Sequence, residues 1–510
     1  MNKNLYIIRT LVVLFLSITS FTVNAQSLKL ANVFGDHMVL QREKKVPVWG
    51  TSNPKENITV KFSGQTKTTK SDRHGKWMIY LDPLKTSFEG KDMIVEGDKN
   101  LVIKDILVGE VWICAGQSNM VMSYNSSAEV RGLVPLAKNI RSFFVENNVA
   151  LKEQHEASGK WKVTHPKSAV AFSFAYFLNN LGNVPVGIIQ ASWGSSSIEA
   201  WMPRSMTKEV PHFKTIMQEF DADKERVARI QKLIHKENWT RDENIFLRRN
   251  SNIIYNAMMH PLIPFANRGL VWYQGERNTR YIEGLPEAEG ANWFHRVCGM
   301  KDYDEVLKKW IQTYRKNWND DEMHFMVVML PGYGKGTQAK QQIDVESPTE
   351  ESWAWMRESQ LSATEISNVS VVNTIDLGDV KNIHPTDKLP IGQRTALLAA
   401  KKTLNVKGES QGPIFKKVEV LQGKLMVHFN HAVGLKTTNG KAPSGFWITD
   451  DSQKWVKATA KLEGETVLLS SPEVKNPKYI RYAFSGKPTV NLVNKSELPA
   501  YPFRTDIWEE

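Results

Sequence analysis

Ile106-Leu107-Val108-Gly109-Glu110-Val111-Trp112-Ile113-Cys114-Ala115-Gly116-Gln117-Ser118-Asn119-Met120 is the stretch whose reading decides the fold. Residues 106–114 form a mostly apolar run of strand length, and Gly116 marks the turn behind it. Downstream, 171–181 carry helical spacing and stop at Gly182, and 185–191 read as a buried strand. Residues 213–239 read as one long charged amphipathic helix. Strands are expected at 270–273, 325–330 and 369–375, and helices at 303–318, 353–366 and 389–404. Strands alternating with helices imply a parallel sheet covered on both faces.

Outside this α/β unit, placed at 106–404, the text is strand-like. In 26–105, Val46-Pro47-Val48-Trp49, Ile58-Thr59-Val60-Lys61-Phe62 and Lys76-Trp77-Met78-Ile79-Tyr80-Leu81 are separated by turn residues and suggest a small β-sandwich. In 405–510, strands are expected at 417–421, 424–429, 445–448, 466–469 and 479–484.

The chain has 510 residues, too many for one ordinary domain, so two or three are expected. Its 41% hydrophobic and 24% charged content excludes a largely disordered or collagen-like chain, and two cysteines exclude a Cys-rich zinc module. Residues 1–25 differ from the rest. Lys3 and Arg9 are their only charges, residues 11–16 are an apolar run, and Val23-Asn24-Ala25 fits signal-peptidase cleavage before Gln26. The run is short beside the ~20 residues of a spanning helix. The expectation is an exported protein, periplasmic or secreted, without stable membrane insertion. An uncleaved anchor is the alternative. The net charge is +12. The cations are scattered without a basic arm or nucleic-acid motif, so no nucleic-acid partner is expected.

Sites in open α/β sheets form at the carboxyl ends of strands. Four such ends carry chemistry. In Gly116-Gln117-Ser118-Asn119-Met120, a serine in a turn can present its hydroxyl while turn N–H groups face an oxyanion. Met120 stands where the Gly-x-Ser-x-Gly elbow has its second glycine, and Ser118 could equally cap a helix. Ser192-Trp193-Gly194-Ser195-Ser196-Ser197 offers a glycine that lets a backbone N–H approach a substrate, or simply a flexible turn. Trp272-Tyr273-Gln274-Gly275-Glu276-Arg277-Asn278 places two amides and a carboxylate past a strand. Asp376-Leu377-Gly378-Asp379-Val380-Lys381-Asn382-Ile383-His384-Pro385 offers a histidine that could take and return a serine proton. His260 is a competing base at the wrong end of a strand.

In this order the blocks resemble the sialate O-acetylesterase-like branch of the SGNH (GDSL-type) hydrolase superfamily. Gly116 to Met120 matches that branch's Gly-Gln-Ser-Asn-Met block. Residues 193–201 resemble its Trp-Gly-Gly-Thr-x-Ile-Glu-Ala-Trp block. Residues 272–278 match its Trp-Tyr-Gln-Gly-Glu-x-Asn block, and 383–388 its Ile-His-Pro-x-x-Lys block. Met38-Val39-Leu40-Gln41-Arg42, Asn491-Leu492 and Pro502-Phe503-Arg504-Thr505-Asp506 extend the likeness into both flanks. The resemblance implies a three-layer parallel-sheet SGNH hydrolase domain flanked by N- and C-terminal β-sandwich-like regions. It implies Ser118 as nucleophile and His384 as base, then acid. The N–H groups of Ser118 and Gly194 would form an oxyanion hole, completed by the amide of Gln274 or Asn278. The substrate would be an acetylated sugar or glycan, with no cofactor and no metal.

Two positions depart from the branch. Where it carries an acid before the histidine, Lys381 and Asn382 stand here. A partner for His384 would be Asp379, Asp376 or Glu276, or else a backbone carbonyl. Ser195-Ser196 replace Gly-Thr after Gly194. These departures support one rival, a degenerate glycan-binding protein on the same fold. A lipase or thioesterase is another. Cys114 reads as a small core residue, and a disulfide to Cys298, within an insertion at 283–300, is possible in an exported chain. The loops, including that insertion and the helical 213–239, are where sugar choice is expected.

Overall fold

A computed structural model describes residues 27–282, 297–334, 346, 348 and 353–508. Residues 1–25, read above as an export leader, and 283–296 of the insertion lie outside the described residues. The chain is a mixed α/β structure with additional β-sheets at both flanks.

Six parallel strands organise the centre: β1 (Asn100–Gly116), β2 (Ile140–Phe144), β3 (Val186–Ser192), β4 (Gly269–Tyr273), β5 (His324–Val328) and β6 (Val369–Val372). Their order is β2-β3-β1-β4-β5-β6, with Trp161–Lys162 antiparallel on the β2 edge. The chain leaves β1 for the outer β2, returns as β3 on one side of β1, then continues as β4 on the other. β1 is therefore the topological switch, where α/β sheets open their clefts. Sequence reading missed β2, Ile-Arg-Ser-Phe-Phe, because Arg141 and Ser142 interrupt the apolar pattern. Both are buried, and Arg141 pairs with Asp105.

β1 is 17 residues long and runs through the boundary placed at 105/106. Its burial alternates up to Asp105 and is complete from Ile106 onward. The first half pairs with Ser87–Glu96 of the N-terminal sheet, and the second half enters the parallel sheet. That change from one-sided to two-sided burial is why the apolar run begins at Ile106. The Gln41-Arg42 pair serves this junction. Gln41 Oε1 accepts the Val111 N–H at 2.9 Å, and Arg42 Nε donates to the fully buried Glu110 at 2.8 Å. Arg268 Nε, at the entry to β4, donates to the same carboxylate at 2.8 Å. A buried charge needs such partners to offset its lost hydration.

Seven helices matter here: α1 (Ala169–Gly182), α2 (Pro211–Ala222), α3 (Lys224–Ile234), α4 (Arg241–Arg248), α5 (Tyr303–Trp318), α6 (Ala354–Leu361) and α7 (Leu389–Thr403). Trp112 of β1 meets Phe174 of α1 edge-on at 5.4 Å. Trp272 of β4 meets Trp310 of α5 at 4.5 Å. Trp112 is level with Gly269 and Trp272 with Ala115, so the two indoles point to opposite sheet faces and each finds a helix there. The long helix expected at 213–239 is instead α2 and α3. Asp223 leaves helical geometry, and its carboxylate accepts the Arg226 N–H as an N-cap. An amphipathic period cannot reveal such a break, because a cap competes with helix only through local hydrogen bonds. The helix expected at 353–366 likewise tightens into a 3-10 turn after Leu361.

α4 was not anticipated. It starts at a capping box in which Thr240 Oγ1 accepts the Glu243 N–H at 3.2 Å and Glu243 Oε2 accepts the Thr240 N–H at 2.7 Å. Thr240→Ala is expected to cost about 1 kcal/mol in urea unfolding. An unchanged midpoint would show that packing alone holds α4.

At the C-terminal flank, two four-stranded antiparallel sheets pack through aromatic rings. Phe503 stacks on Phe415 at 4.4 Å and contacts Phe429 at 6.1 Å. Arg481 and Asp506, both fully buried, form a two-pronged pair at 3.0 and 2.9 Å. This flank is bolted to the α/β unit. Arg357 of α6 donates to the carbonyls of Ser485 and Gly486, each at 2.6 Å, and the Tyr501 hydroxyl donates to Val371 O of β6 at 2.8 Å.

Candidate active site

Three turns at the carboxyl ends of β1, β3 and β4 are stitched together by backbone. The Gln117 N–H donates to Tyr273 O at 3.0 Å, and the Trp193 N–H to Gly116 O at 2.9 Å. Gly116 sits at φ +139, and a Cβ there would lie 2.1 Å from Tyr273 O. Only glycine permits this crossing of strands, which is why glycine precedes Gln117-Ser118. Ser118 then opens a one-turn helix, Ser118–Val121.

The Ser118 hydroxyl meets Nε2 of His384 at 2.8 Å. With the ring proton on Nδ1, Nε2 can accept the serine proton and activate Oγ as a nucleophile. His384 comes from the loop after β6. Asp379 Oδ1 ties that loop by accepting the N–H groups of Lys381 and Asn382, both at 2.7 Å. Asn382 braces the backbone of His384, accepting its N–H and donating to its carbonyl, both at 2.9 Å. The residue standing where the family has an acid therefore shapes the loop rather than the imidazole.

None of the three carboxylates considered as partners reaches the ring. Asp379 serves loop N–H groups, Asp376 is bound two-pronged by Arg394 at 2.7 and 2.7 Å, and Glu276 is engaged by Asn119. Among the described residues no carboxylate or carbonyl hydrogen-bonds to Nδ1 of His384. The loop is instead clamped through Asn119. Its side-chain amide donates to Ile383 O at 3.1 Å and to Glu276, and its Oδ1 accepts from Lys388 Nζ at 2.7 Å. Asn119 is a positioning residue that sequence reasoning passed over, although it lies inside the quoted serine block.

Loss of hydration lowers the His384 pKa from 6.5, and the nearby Lys388 ammonium lowers it further. Burial drops Lys388 itself to about 8, against the opposing pull of Glu276 and Asp387. A general base works when neutral, so activity should rise with pH through a limb below 6.5. A kcat/KM profile against a neutral ester would test this, and a limb above the ordinary histidine value would contradict it.

Gly194 lies against the nucleophile: a Cβ built there would sit 3.4 Å from Ser118 Cβ and 3.9 Å from Ser118 N. Neither the Ser118 nor the Gly194 N–H is taken by a backbone acceptor among the described residues. Two backbone donors are thus available beside the hydroxyl, as an oxyanion hole needs. The side-chain amides are placed otherwise. Gln274 is fully buried, with Nε2 donating to Gln117 Oε1 (3.1 Å), Ser196 O (3.2 Å) and Asn278 Oδ1 (2.9 Å), and Oε1 accepting from Tyr303 (2.7 Å). Asn278, also fully buried, accepts the Ile198 N–H at 3.2 Å and donates to Glu199 at 3.3 Å. Neither lines the cleft. They form the floor that holds the three turns together, which spacing alone could not distinguish from an oxyanion donor. Gln117 does line the cleft, and its Oε1 is fixed by Gln274 and the Arg277 N–H.

The cleft is open and about 790 Å³. Ser118, His384, Ile383, Val121 and Met122 lie on its wall beside Gly194, Ser195 and Trp193, with Asn244, Arg248, Arg277 and Arg280. Ser195 sits at φ +61 with Oγ accepting from Arg249 Nε at 3.2 Å, whereas Ser196 is buried and bonds Trp193 O and Trp201. Burial, with Arg280 and Arg249 alongside, lowers Arg277 to about 9. The competing His260 is elsewhere, near Gln154 and Glu153.

One group of metal-ligand type forms among the described residues: Glu199, His212 and Cys298, with ligand atoms within 4.8 Å. Glu199 Oε1 accepts the Cys298 N–H at 2.7 Å and lies 3.5 Å from His212 Nε2, and burial raises the pKa of the Cys298 thiol. Cys114 and Cys298 are both free and buried, so the disulfide considered from the sequence is not formed. Cys114 is in the strand core, and the Cys298 sulfur accepts from Asn278 at 3.2 Å.

No family model matches the chain. It is 26% identical to the sialate O-acetylesterase of Mus musculus and 24% identical to that of Homo sapiens, covering 94% of this chain in both cases, and 94% and 93% of those proteins. In structure it is similar to a carbohydrate acetylesterase from Xanthomonas citri, with a TM-score of 0.78 and 29% identity, over 94% of this chain and 100% of that one. The likeness runs through both flanks and the α/β unit in sequence and in fold, so that over nearly its whole length the chain is similar to the sialate O-acetylesterases and to a carbohydrate acetylesterase.

Proposed function

We propose that this protein is an exported carbohydrate O-acetylesterase built on a three-layer SGNH hydrolase unit, acting on O-acetylated sialic acid or a related acetylated glycan. The observation that carries the reading is the 2.8 Å contact between Ser118 Oγ and His384 Nε2 in an open cleft. Oγ attacks the acetyl carbonyl as its proton passes to Nε2. The carbonyl oxygen gains charge against the N–H groups of Ser118 and Gly194. The tetrahedral intermediate expels the sugar alkoxide, which takes the proton from His384 and leaves an acetyl-serine. Water then enters, gives a proton to Nε2, and attacks the acetyl carbonyl. Acetate leaves and the proton returns to Oγ. Export rests on the leader at residues 1–25. Among the described residues no helix is long and apolar enough to cross a membrane.

The rival is a glycan-binding protein without turnover, favoured by the lack of a partner for His384 Nδ1 among the described residues. Acetate release from acetylated sialoglycans and acetylated xylan separates the two. Acetate from the mature chain, with a preference for acetyl over longer acyl esters, supports the esterase. Glycan binding without acetate supports the rival.

A further inference from the structure

Behind the floor of the cleft, three ligand-type side chains from distant segments converge. Glu199 lies in the 3-10 turn Ile198–Trp201 after β3, His212 is the second residue of α2, and Cys298 precedes α5 at the end of the insertion. A Glu199 carboxylate oxygen, a His212 ring nitrogen and Cys298 Sγ all lie within 4.8 Å of one another, and Glu199 Oε1 stands 3.5 Å from His212 Nε2. Tetrahedral zinc, with bonds of about 2.0–2.3 Å to nitrogen, oxygen and sulfur, sets its ligand atoms about 3.3–3.6 Å apart. The carboxylate and the imidazole already have that spacing, and the sulfur has little to close.

The protein alone leaves these groups incomplete. The Glu199 side chain is fully buried, and its ion-pair contact among the described residues is with His212 only. His212 Nε2 is buried and has no hydrogen-bond partner among the described residues. A buried carboxylate without a firm counter-charge and a buried ring nitrogen without a partner both cost stability. Cys298 is a free, buried thiol. Its sulfur accepts from Asn278 Nδ2 at 3.2 Å, and the same amide reaches Glu199 Oε2 at 3.3 Å. One amide donating to two ligands is the outer support by which metal sites orient their ligands.

We propose that Glu199, His212 and Cys298 form a structural zinc site. An imidazole, a thiolate and a carboxylate are a donor set suited to zinc, with a fourth position left for water. On binding, the Cys298 S–H bond breaks, a zinc–sulfur bond forms and the proton leaves to solvent. Two anionic ligands then balance the charge of the ion, so the buried site is neutral. None of the three residues lines the cleft, so the ion takes no part in acetyl transfer. It ties the turn after β3, α2 and the end of the insertion to Asn278, and through Asn278 to Gln274 in the floor. This goes beyond the esterase reading and does not depend on it.

The test strips the mature full-length chain with a chelator, reloads it with zinc and desalts it. The wild type should retain about one zinc per chain, and its melting temperature should rise by several degrees, because the ion binds the folded state. Cobalt(II) in place of zinc should show a thiolate-to-metal charge-transfer band and the intense visible bands of tetrahedral coordination. Cys298→Ser and His212→Gln should each weaken zinc binding by more than about 100-fold, and Cys298→Ser should abolish the charge-transfer band. The wild-type cobalt spectrum reports sulfur ligation without any variant, so poor folding of either variant leaves the question decidable. A wild type that retains no zinc would overturn the site, as would a cobalt spectrum without the charge-transfer band. Zinc affinity unchanged in a folded form of either variant would place the ion elsewhere and overturn it too.

Discussion

Ser118→Ala is expected to lower kcat on any acetyl ester by about 10³- to 10⁶-fold, and His384→Ala by a comparable factor. The two groups act as one unit across 2.8 Å: Oγ is a weak nucleophile until Nε2 takes its proton. The double variant should therefore be no slower than the worse single one. Folding should survive Ser118→Ala, since it removes one hydroxyl whose hydrogen bond is worth about 1 kcal/mol. Thermal melts beside the acetate assay check both points. A folded Ser118→Ala protein with more than a tenth of wild-type activity would remove Ser118 from the chemistry. A melt lowered by tens of degrees would make the assay a folding measurement instead.

Asn119→Ala is expected to damage catalysis and stability together. The Asn119 side chain is buried and holds three groups: Lys388 Nζ at 2.7 Å, Ile383 O at 3.1 Å, and Glu276. Removing it strands a buried ammonium and a buried carboxyl, at a cost of about 2–4 kcal/mol. It also frees the carbonyl next to His384. The imidazole lacks a described partner on Nδ1, so its aim depends on the loop that Asn119 clamps. A small misplacement of a reacting group is enough to cost about 10- to 100-fold in kcat. The loss should fall on kcat more than on KM, since Asn119 does not line the cleft. Wild-type kcat in a folded Asn119→Ala protein would show that the loop holds His384 without the clamp.

These expectations put the support of the histidine in a different place from the Ser-His-Asp template. There a carboxylate fixes the tautomer and steadies the imidazolium. Here Asn382, Asp379 and Asn119 all act on the backbone of the loop. The depressed pKa of His384 fits that arrangement, because burial and Lys388 oppose its charged form and no anion among the described residues hydrogen-bonds to the ring.

Much of this was legible in the residues. Burial on two faces produced the continuous apolar runs of β1, β3 and β4, and glycine at 116 announced a crossing that tolerates no side chain. From such signals the alternation of strands and helices, the serine turn and the histidine loop follow, because each is a matter of local backbone conformation and periodicity. Other features were decided only by tertiary structure. Ser118 and His384 lie 266 residues apart, and only the strand order β2-β3-β1-β4-β5-β6 brings their turns to one edge. Gln274 and Asn278 have the composition of oxyanion donors, yet neighbours from the turns after β1 and β3 and from α5 draw their amides into the floor. The cleft lining joins Arg248 of α4 to Arg277 and Arg280 after β4, two segments that no sequence window spans. Local patterning specifies how a segment bends and which side is apolar. Where a polar side chain finds its partner depends on distant elements, and that is settled only when they pack.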